Sequence, residues 1–289
     1  MLIDPHVNPR DLSPDELIDL MIDASIDGAV ITCTHSAQEA VPYVDALLEE
    51  DFVGLFGVEL LTPHGTLVFI PKAVDDRFLA TEWAPTGASA LPLKNRDEDG
   101  ELVDAGSLWS LEALEAQLSS FEGALLITHP YSRLNERAWG DRAYTLSRAC
   151  GVEVRTGRGL AVRDFLADQL AETKGWARVG SSSGDLSYLG ASVTAVLDSA
   201  DQQAGLCEAL EQGVCWPIEF ERAEHPRPRY EGVTEDAGPR RVTLAEKERR
   251  EALNEVNKRR PQKGGAPIDQ IFGRGPKASS PRAQGRGRR

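Results

Sequence analysis

The stretch GAVITCTH, residues 28–35, decides the class of fold. It follows an aspartate, continues as a short run of apolar and β-branched residues and ends in Thr-His, a composition typical of a buried strand. Similar runs alternate with helical patterns through the first 220 residues, which predicts an α/β domain with a mostly parallel sheet. The predicted strands are residues 28–33, 54–60, 66–71, 124–128, 151–155 and 177–181.

Local signals also predict two helices and one insertion. The motif SPDE at 13–16 is a capping box with proline at the first helical position, so a helix is expected to begin there. A second helix is predicted to begin within 199–202 and to end near Gly213. The segment 80–108 is rich in Pro, Gly, Asp and Glu and has little periodicity, which indicates an insertion or a long loop.

Composition excludes several classes of protein. Of the 289 residues, 41% are hydrophobic and 27% are charged, as in ordinary globular proteins and unlike fibrous or collagen-like chains. No stretch approaches the roughly 20 consecutive apolar residues of a membrane span, and the first residues lack the basic start and apolar run of a signal peptide. We therefore expect a cytoplasmic protein with no membrane partner. The four cysteines form no CxxC pair, which argues against a zinc knuckle or a disulfide framework and favours small core residues.

Charge is divided between an acidic body and a basic tail. Residues 240–289 contain 15 Lys and Arg against 5 Asp and Glu, whereas residues 1–239 contain 17 against 41, a net charge of −24. Composition predicts a domain at 1–222, a linker at 223–242, and a basic helix with a largely disordered tail at 243–289. Three interpretations of the tail stay open: it binds nucleic acid or another acidic partner, it only solvates the protein, or it folds back on the acidic body.

Histidines are scarce, and most of them lie at predicted strand ends. Four of the five stand at such positions, and one glutamate follows an apolar strand: His6, His35, His64, His129 and Glu59. In a barrel of βα units the loops after the strands meet on one face, so these side chains can come together. Imidazoles around a shared carboxylate are a common way to hold divalent ions and to activate a water molecule. The pattern therefore predicts a metal site.

A series of motifs runs through the body of the chain in a fixed order. They are DPHVN at 4–8, DGAVITCTH at 27–35, GVE at 57–59, THPYSR at 128–133, GVEVRTGR at 151–158 and GSSSGDLSYLG at 180–190. In order and spacing these motifs resemble those of the PHP (polymerase and histidinol phosphatase) domain family, over residues 1 to about 200. The resemblance implies a distorted (β/α)7 barrel of PHP type, a TIM-like fold that binds Mn, Zn or Fe ions and hydrolyses phosphate esters.

The same resemblance implies roles for individual residues. The expected metal ligands are His6, His35, Glu59 and His129, and the catalytic set among them is His6, Glu59 and His129. Weaker candidate ligands are Asp11, His64 and Asp185. The candidate substrate-binding residues are Arg133, Arg155 and Ser182.

Four positions depart from the family pattern and limit what the site can hold. They are positions at which the family usually has a histidine or an acid: Asn8, Thr34, Ser182 and Gly184. Neutral oxygen ligands bind divalent ions poorly and glycine offers no ligand, so we expect one or two ions rather than three. Two functions follow from this pattern. The first is a metal-dependent phosphoesterase acting on a small phosphorylated or nucleotide substrate. The alternative is a catalytically inactive PHP-like module that binds a ligand or a partner.

Overall fold

The strands form one large sheet and one separate hairpin. The computed structural model describes residues 1–10, 12–96, 102–131, 138–157, 161–197 and 202–220. The large sheet consists of β1 (Leu2–Val7), β2 (Gly28–Cys33), β3 (Val53–Thr62), β4 (Gly65–Pro71), β7 (Gly123–Ile127), β8 (Gly151–Arg155), β9 (Ala177–Gly180), β10 (Ser192–Val196) and β11 (Cys215–Glu219). The hairpin consists of β5 (Ala90–Arg96) and β6 (Leu102–Trp109). All six predicted strands are present, and the bounds of β2 and β8 are those predicted.

The large sheet is mixed rather than mostly parallel. Its order is β11-β10-β1-β2-β3-β4-β7-β8-β9. Strands β1 to β3 run parallel to one another, as do β7 to β9. In contrast, β4 is antiparallel to both β3 and β7, and β10 is antiparallel to both β1 and β11. The expectation of a mostly parallel sheet is wrong here because β3 and β4 are joined by a tight turn, which only antiparallel strands allow.

The two edges of the large sheet approach each other, so the sheet is nearly closed. Thr194 Oγ1 in β10 donates to Gly180 O in β9 at 2.8 Å, and Gly180 N donates back to Thr194 Oγ1 at 3.1 Å. A Cβ atom at residue 180 would lie 2.5 Å from Val193 O, so this approach requires glycine. In addition, Cys215 Sγ in β11 lies 3.6 Å from Arg178 O in β9. The architecture is therefore mixed α/β with a barrel-like nine-stranded sheet.

The helices begin and end largely where local signals indicate. They are α1 (Pro14–Ala24), α2 (Val41–Glu49), α3 (Asp76–Leu79), α4 (Leu111–Leu118), α5 (Ala161–Lys174) and α6 (Gln203–Gln212). The capping box of α1 is confirmed, since Ser13 N donates to Glu16 Oε2 at 2.8 Å and Glu16 N donates to Ser13 Oγ at 3.3 Å. The predicted end of α6 is confirmed at Gly213, whose φ is 66°. Within the described ranges no helix combines the length and the apolar character needed to cross a bilayer.

The insertion at 80–108 carries the β5–β6 hairpin and is not simply a loop. Leu93, Leu108 and Trp109 of this hairpin are buried. Trp109 Nε1 donates to Trp83 O at 2.9 Å, and Trp83 belongs to an aromatic cluster in the core. The prediction of a loop is wrong because these few apolar side chains pack against the core, although the surrounding composition is polar.

The cysteines behave as small core residues, as expected. All four are free thiols; Cys33, Cys207 and Cys215 are buried and Cys150 is half-buried. Burial raises the pKa of Cys33, Cys207 and Cys215 to about 12. These thiols therefore stay protonated at neutral pH.

Candidate functional site

Several strands end at one edge of the sheet and bring ionisable side chains together there. His6 lies in β1, Glu59 in β3 and Glu153 in β8, while His129 follows β7. Because β4 is antiparallel to both of its neighbours, β7 to β9 point in the same direction as β1 to β3. The carboxyl ends of all these strands therefore meet at one edge, which is where α/β sheets build their sites. The loop after β9, residues 181–185, completes the edge.

A cleft of about 860 Å³ opens at this edge. Its lining residues with an acidic, guanidinium, imidazole or amide group are Asn8, Arg10, Glu39, Glu59, His129 and Asp185. Leu93 from the β5–β6 hairpin also lines the cleft, so the insertion contributes to its wall. The cleft is therefore mainly polar and carries several carboxylates.

Glu153 is the centre of the hydrogen-bond network beneath the cleft. Its carboxylate is fully buried. Oε1 accepts from His6 Nδ1 at 2.9 Å and from Ser181 Oγ at 2.6 Å. Oε2 accepts from His129 N at 2.8 Å and from Ser183 Oγ at 2.7 Å. Burial opposes ionisation of Glu153, but hydrogen bonds and charge from His129 and His6 outweigh it and hold the pKa well below its usual range.

His6 is buried between two carboxylates. Its Nδ1 bonds to Glu153, and its Nε2 lies 3.9 Å from Glu59 Oε2. Burial disfavours the charged imidazolium, but the hydrogen bond to Glu153 and the nearby Glu59 outweigh it and raise the pKa of His6 to about 10. In the absence of another cation, a proton on His6 balances the two carboxylates.

Glu59 connects the buried network to the cleft. Its side chain is 17% exposed, and its Oε2 accepts from Asn8 Nδ2 at 3.0 Å. Burial would raise the pKa of Glu59, but His6 and Asn8 outweigh that effect and lower it. Glu59 is therefore an anion at neutral pH that faces both His6 and the open cleft.

Asp4 and Ser182 hold β1 against the loop after β9. Ser182 N donates to Asp4 Oδ2 at 3.0 Å, and Ser182 Oγ donates to His6 O at 3.0 Å. Burial raises the pKa of Asp4 to about 7, although hydrogen bonds from Ser182 and the His6 backbone oppose this. Ser182 is fully buried and engaged in these bonds. The structure therefore places Ser182 under the site and not in the lining of the cleft.

Strained backbone borders the cleft at three points. Arg10, His129 and Ser183 have φ values of 49°, 28° and 56°, in the left-handed region that non-glycine residues rarely adopt. Each such residue costs of order 1–3 kcal/mol, and such residues cluster at functional sites because the surrounding structure must hold them there. For His129 that support includes the bond from its backbone N–H to Glu153.

Two donor atoms below the cleft are placed to suit one divalent ion. His6 Nε2 is buried and has no hydrogen-bond partner among the described residues. Bonds of about 2.0–2.2 Å to His6 Nε2 and to Glu59 Oε2 could bridge the distance between these atoms. A metal-binding histidine usually donates its other ring N–H to a carboxylate, as the Nδ1 contact of His6 with Glu153 allows. No group of three or more His, Cys, Asp or Glu side chains within the described ranges is placed to hold a metal ion. Among the described residues, His6 Nε2 and Glu59 Oε2 are therefore placed so that they could contact one ion together.

Two of the predicted histidine ligands lie apart from this centre. His35 is exposed, and its Nδ1 hydrogen-bonds with Thr34 Oγ1 at 2.9 Å. His64 Nδ1 accepts from Arg142 Nη1 at 2.7 Å, and its ring packs 5.7 Å from the ring of Trp139. Neither residue lines the cleft as described. In the described structure His35 and His64 are therefore engaged outside the cleft.

The remaining predicted residues divide into three cases. Asp185 lines the cleft. Arg155 is paired with Asp168 Oδ2 at 2.8 Å and lies 4.0 Å from Glu219, so its guanidinium is engaged away from the cleft. Asp11, Arg133 and the predicted linker and tail at 223–242 and 243–289 lie outside the described residues.

Glu153 is the main site residue that sequence reasoning missed. It stands between two valines in the strand GVEVR, whose first four residues are all buried, so the strand is covered on both faces. A buried carboxylate needs partners, so this position was a readable signal of a polar centre. That His6 is its partner could not be predicted from the sequence, because His6 lies 147 positions away.

Comparison with known proteins finds similarity among solved structures. No protein-family model matches the chain, and no curated protein matches it. Among solved structures, the crystal structure of PsfC from Pseudomonas syringae PB-5123 is similar, with 17% sequence identity and a TM-score of 0.49 over 87% of this chain and 98% of PsfC. The interpretation of the site therefore rests on its own geometry.

Proposed function

We propose that this chain is a divalent-metal-dependent phosphoesterase of PHP type that acts on a small phosphorylated or nucleotide substrate. The observation that carries the proposal is the arrangement of His6, with Nδ1 on the buried Glu153 and an unpartnered Nε2 facing Glu59. This is the arrangement of a histidine ligand oriented by a carboxylate. His6 and Glu59 would hold the ion, and Mn, Zn and Fe are the candidates.

Charge supports a cation in this place. Glu39, Glu59 and Asp185 line the cleft, so a phosphate group meets carboxylates unless a positive charge is added. When bound, a divalent ion lowers the pKa of water towards neutrality and balances the charge of a phosphate. A bound divalent ion would therefore add to the positive charge of Arg10 and favour a phosphorylated substrate in this acidic cleft.

The residues of the chain itself provide orientation and a proton donor. Glu153 fixes His6 through one oxygen and contacts His129 through the other, with His129 Nδ1 3.6 Å from Oε2. The ring of His129 is 12% exposed and lines the cleft. Within the proposal, His129 donates a proton to the leaving oxygen of the substrate, and Glu153 holds the ring in place for that step.

The test is metal content measured by elemental mass spectrometry on protein purified without chelator. About one equivalent of metal, lost in Glu59→Ala, is expected, together with hydrolysis of 4-nitrophenyl phosphate that chelator abolishes. Glu39→Ala is the matched control, because Glu39 also lines the cleft but is exposed and lies outside the His6 network. A protein that stays empty when offered Mn, Zn and Fe would contradict the proposal.

A second candidate, an inactive PHP-like binding module, is favoured by one specific contact. Asn8 Nδ2 donates to Glu59 Oε2 and so occupies the oxygen that faces His6. If that bond persists, Glu59 is a weaker ligand. Metal binding without hydrolysis of any phosphoester in a broad screen would favour this second function, and hydrolysis would exclude it.

A further inference from the structure

The positive charge needed to recognise a phosphate group is supplied at one place in the cleft. Among the described lining residues, the permanent cation is Arg10, whereas Glu39, Glu59 and Asp185 are acids. The two arginines predicted from the sequence do not take this role in the described structure. Arg155 is paired with Asp168, and Arg133 lies outside the described residues.

The backbone at Arg10 is held in an unfavourable conformation. Its φ of 49° lies in the left-handed region, which is unfavourable for a residue with a Cβ. Arginine gains nothing from this conformation by itself. Residues in such conformations cluster at functional sites, which is consistent with a role for Arg10 in the cleft.

Hydrogen bonds on both sides of Arg10 fix the loop. Arg10 N donates to Asn8 Oδ1 at 3.3 Å, and Leu12 N donates to Pro9 O at 3.0 Å. Tyr43 Oη donates to Leu12 O at 2.6 Å, which ties the loop to α2. Arg10 and Leu12 are thus each held by hydrogen bonds to neighbouring residues or to α2.

Asn8 links this loop to the proposed metal ligand. Its Oδ1 accepts from Arg10 N while its Nδ2 donates to Glu59 Oε2. One amide group therefore connects Arg10 to the carboxylate that faces His6. Arg10 and Glu59 line the same cleft, in which the phosphate of a bound substrate would lie.

We propose that Arg10 binds the phosphoryl group of the substrate, and this inference rests on the function proposed above. A guanidinium presents paired N–H donors that match two phosphate oxygens, which a lysine ammonium cannot do. Arg10 is exposed and needs no partner from the core, so its role is one of substrate binding and specificity.

The experiment compares Arg10→Gln and Arg10→Lys with Arg77→Gln, a change of another exposed arginine that lies on α3 and not in the cleft. Hydrolysis of 4-nitrophenyl phosphate is measured in the presence of Mn²⁺, and metal content is measured in parallel. We expect KM to rise about 10- to 100-fold in Arg10→Gln, with kcat changed much less, a smaller rise in Arg10→Lys, and unchanged metal content. A KM of Arg10→Gln within about twofold of the wild type would overturn the inference while leaving the phosphoesterase intact.

Phosphate binding tests the role of Arg10 directly if the wild-type protein does not hydrolyse the ester. Binding of inorganic phosphate to the full chain is then measured by calorimetry, with and without Mn²⁺. Binding that weakens about 10-fold or more in Arg10→Gln, and not in Arg77→Gln, supports the Arg10 site although the phosphoesterase has failed. No phosphate binding, or equal binding by all variants, overturns it.

Discussion

His6 and Glu153 are 147 positions apart in the chain and are joined by a buried hydrogen bond of 2.9 Å between Nδ1 and Oε1. The other oxygen of the same carboxylate accepts from the backbone of His129. One glutamate therefore fixes both histidines of the candidate site, and this relationship determines how the site should respond to substitution.

Replacing this glutamate should destabilise the whole domain. Glu153→Gln removes the negative charge beside His6 and turns one acceptor into a donor, and breaking such a buried pair typically costs about 3–5 kcal/mol. Urea unfolding measures the loss. Glu208→Gln is the matched control, since its partner Lys72 lies 3.3 Å away on the surface and exposed pairs contribute only about 0–1 kcal/mol. A Glu153→Gln protein as stable as the control would show that the pair is not formed in solution.

The glycine next to His6 should resist substitution for a reason beyond its backbone. Gly184 has a φ of 69°, and a Cβ there would lie 3.0 Å from His6 Nε2. Gly213 has a φ of 66°, and a Cβ added there would have no atom within 4 Å. Gly213→Ala therefore measures the cost of the backbone conformation alone, about 1–2 kcal/mol. We expect Gly184→Ala to lose more stability than Gly213→Ala and to shift the His6 ring signals in NMR spectra. If the two variants lost equal stability and the His6 signals did not move, a contact between the added Cβ and His6 would be contradicted.

His64 should titrate at lower pH than an ordinary histidine. Partial burial and the charge of Arg142 both lower its pKa, so the folded state favours the neutral ring that accepts from Arg142. The unfolded state binds the proton more readily, and the contribution of His64 to stability is therefore lost as pH falls from above about 6.5 through the folded pKa. NMR titration should show a pKa below 6.5 that moves towards 6.5 in Arg142→Gln. A pKa that is the same in both proteins would exclude this pairing.

A histidine at position 8 should strengthen metal binding. Asn8 stands where the resembled family has a histidine, and its amide nitrogen lies 3.0 Å from Glu59 Oε2. Asn8→His would add an imidazole beside the two donors of the proposed ion and is expected to improve retention of Mn²⁺ on desalting about 10-fold or more. Asn8→Ala is the control: it frees Glu59 Oε2 without adding a ligand, so it should improve retention less than Asn8→His does. Retention no better than in the wild type would argue against an ion between His6 and Glu59.

The sequence predicted the main sheet better than its edges. Apolar, β-branched runs such as those of β2 and β8 are strong local signals, whereas β11 contains Pro217, which argues against a strand. In the structure β11 pairs only with β10, so the missing N–H is tolerated at an edge. The pairing of β10 with β1 depends on tertiary contacts that no local pattern specifies, whereas the short connection between β3 and β4 did indicate an antiparallel pair.

For the site, the sequence identified residues at strand ends but not the directions in which their side chains point. The structure brings His6, Glu59 and His129 to one edge, while His35 and His64 point to other partners. Which way a side chain turns after a strand depends on where the strand leaves the sheet, and the sequence does not specify that point. Metal binding, hydrolysis, the cytoplasmic location and the partners of the tail stay predictions.

The position of β1 in the sheet has a consequence for how the protein folds. β1 lies between β2 and β10, and Ile3 is paired with Thr194 across nearly the whole domain. Contacts between such distant segments form slowly, because a long loop must close before they are gained. His6 belongs to this strand and its partner Glu153 lies 147 positions away, so we expect the candidate site to be completed only when these distant segments have met. Substitutions that slow the docking of β10 should therefore reduce the yield of folded protein before they alter the properties of the molecules that do fold.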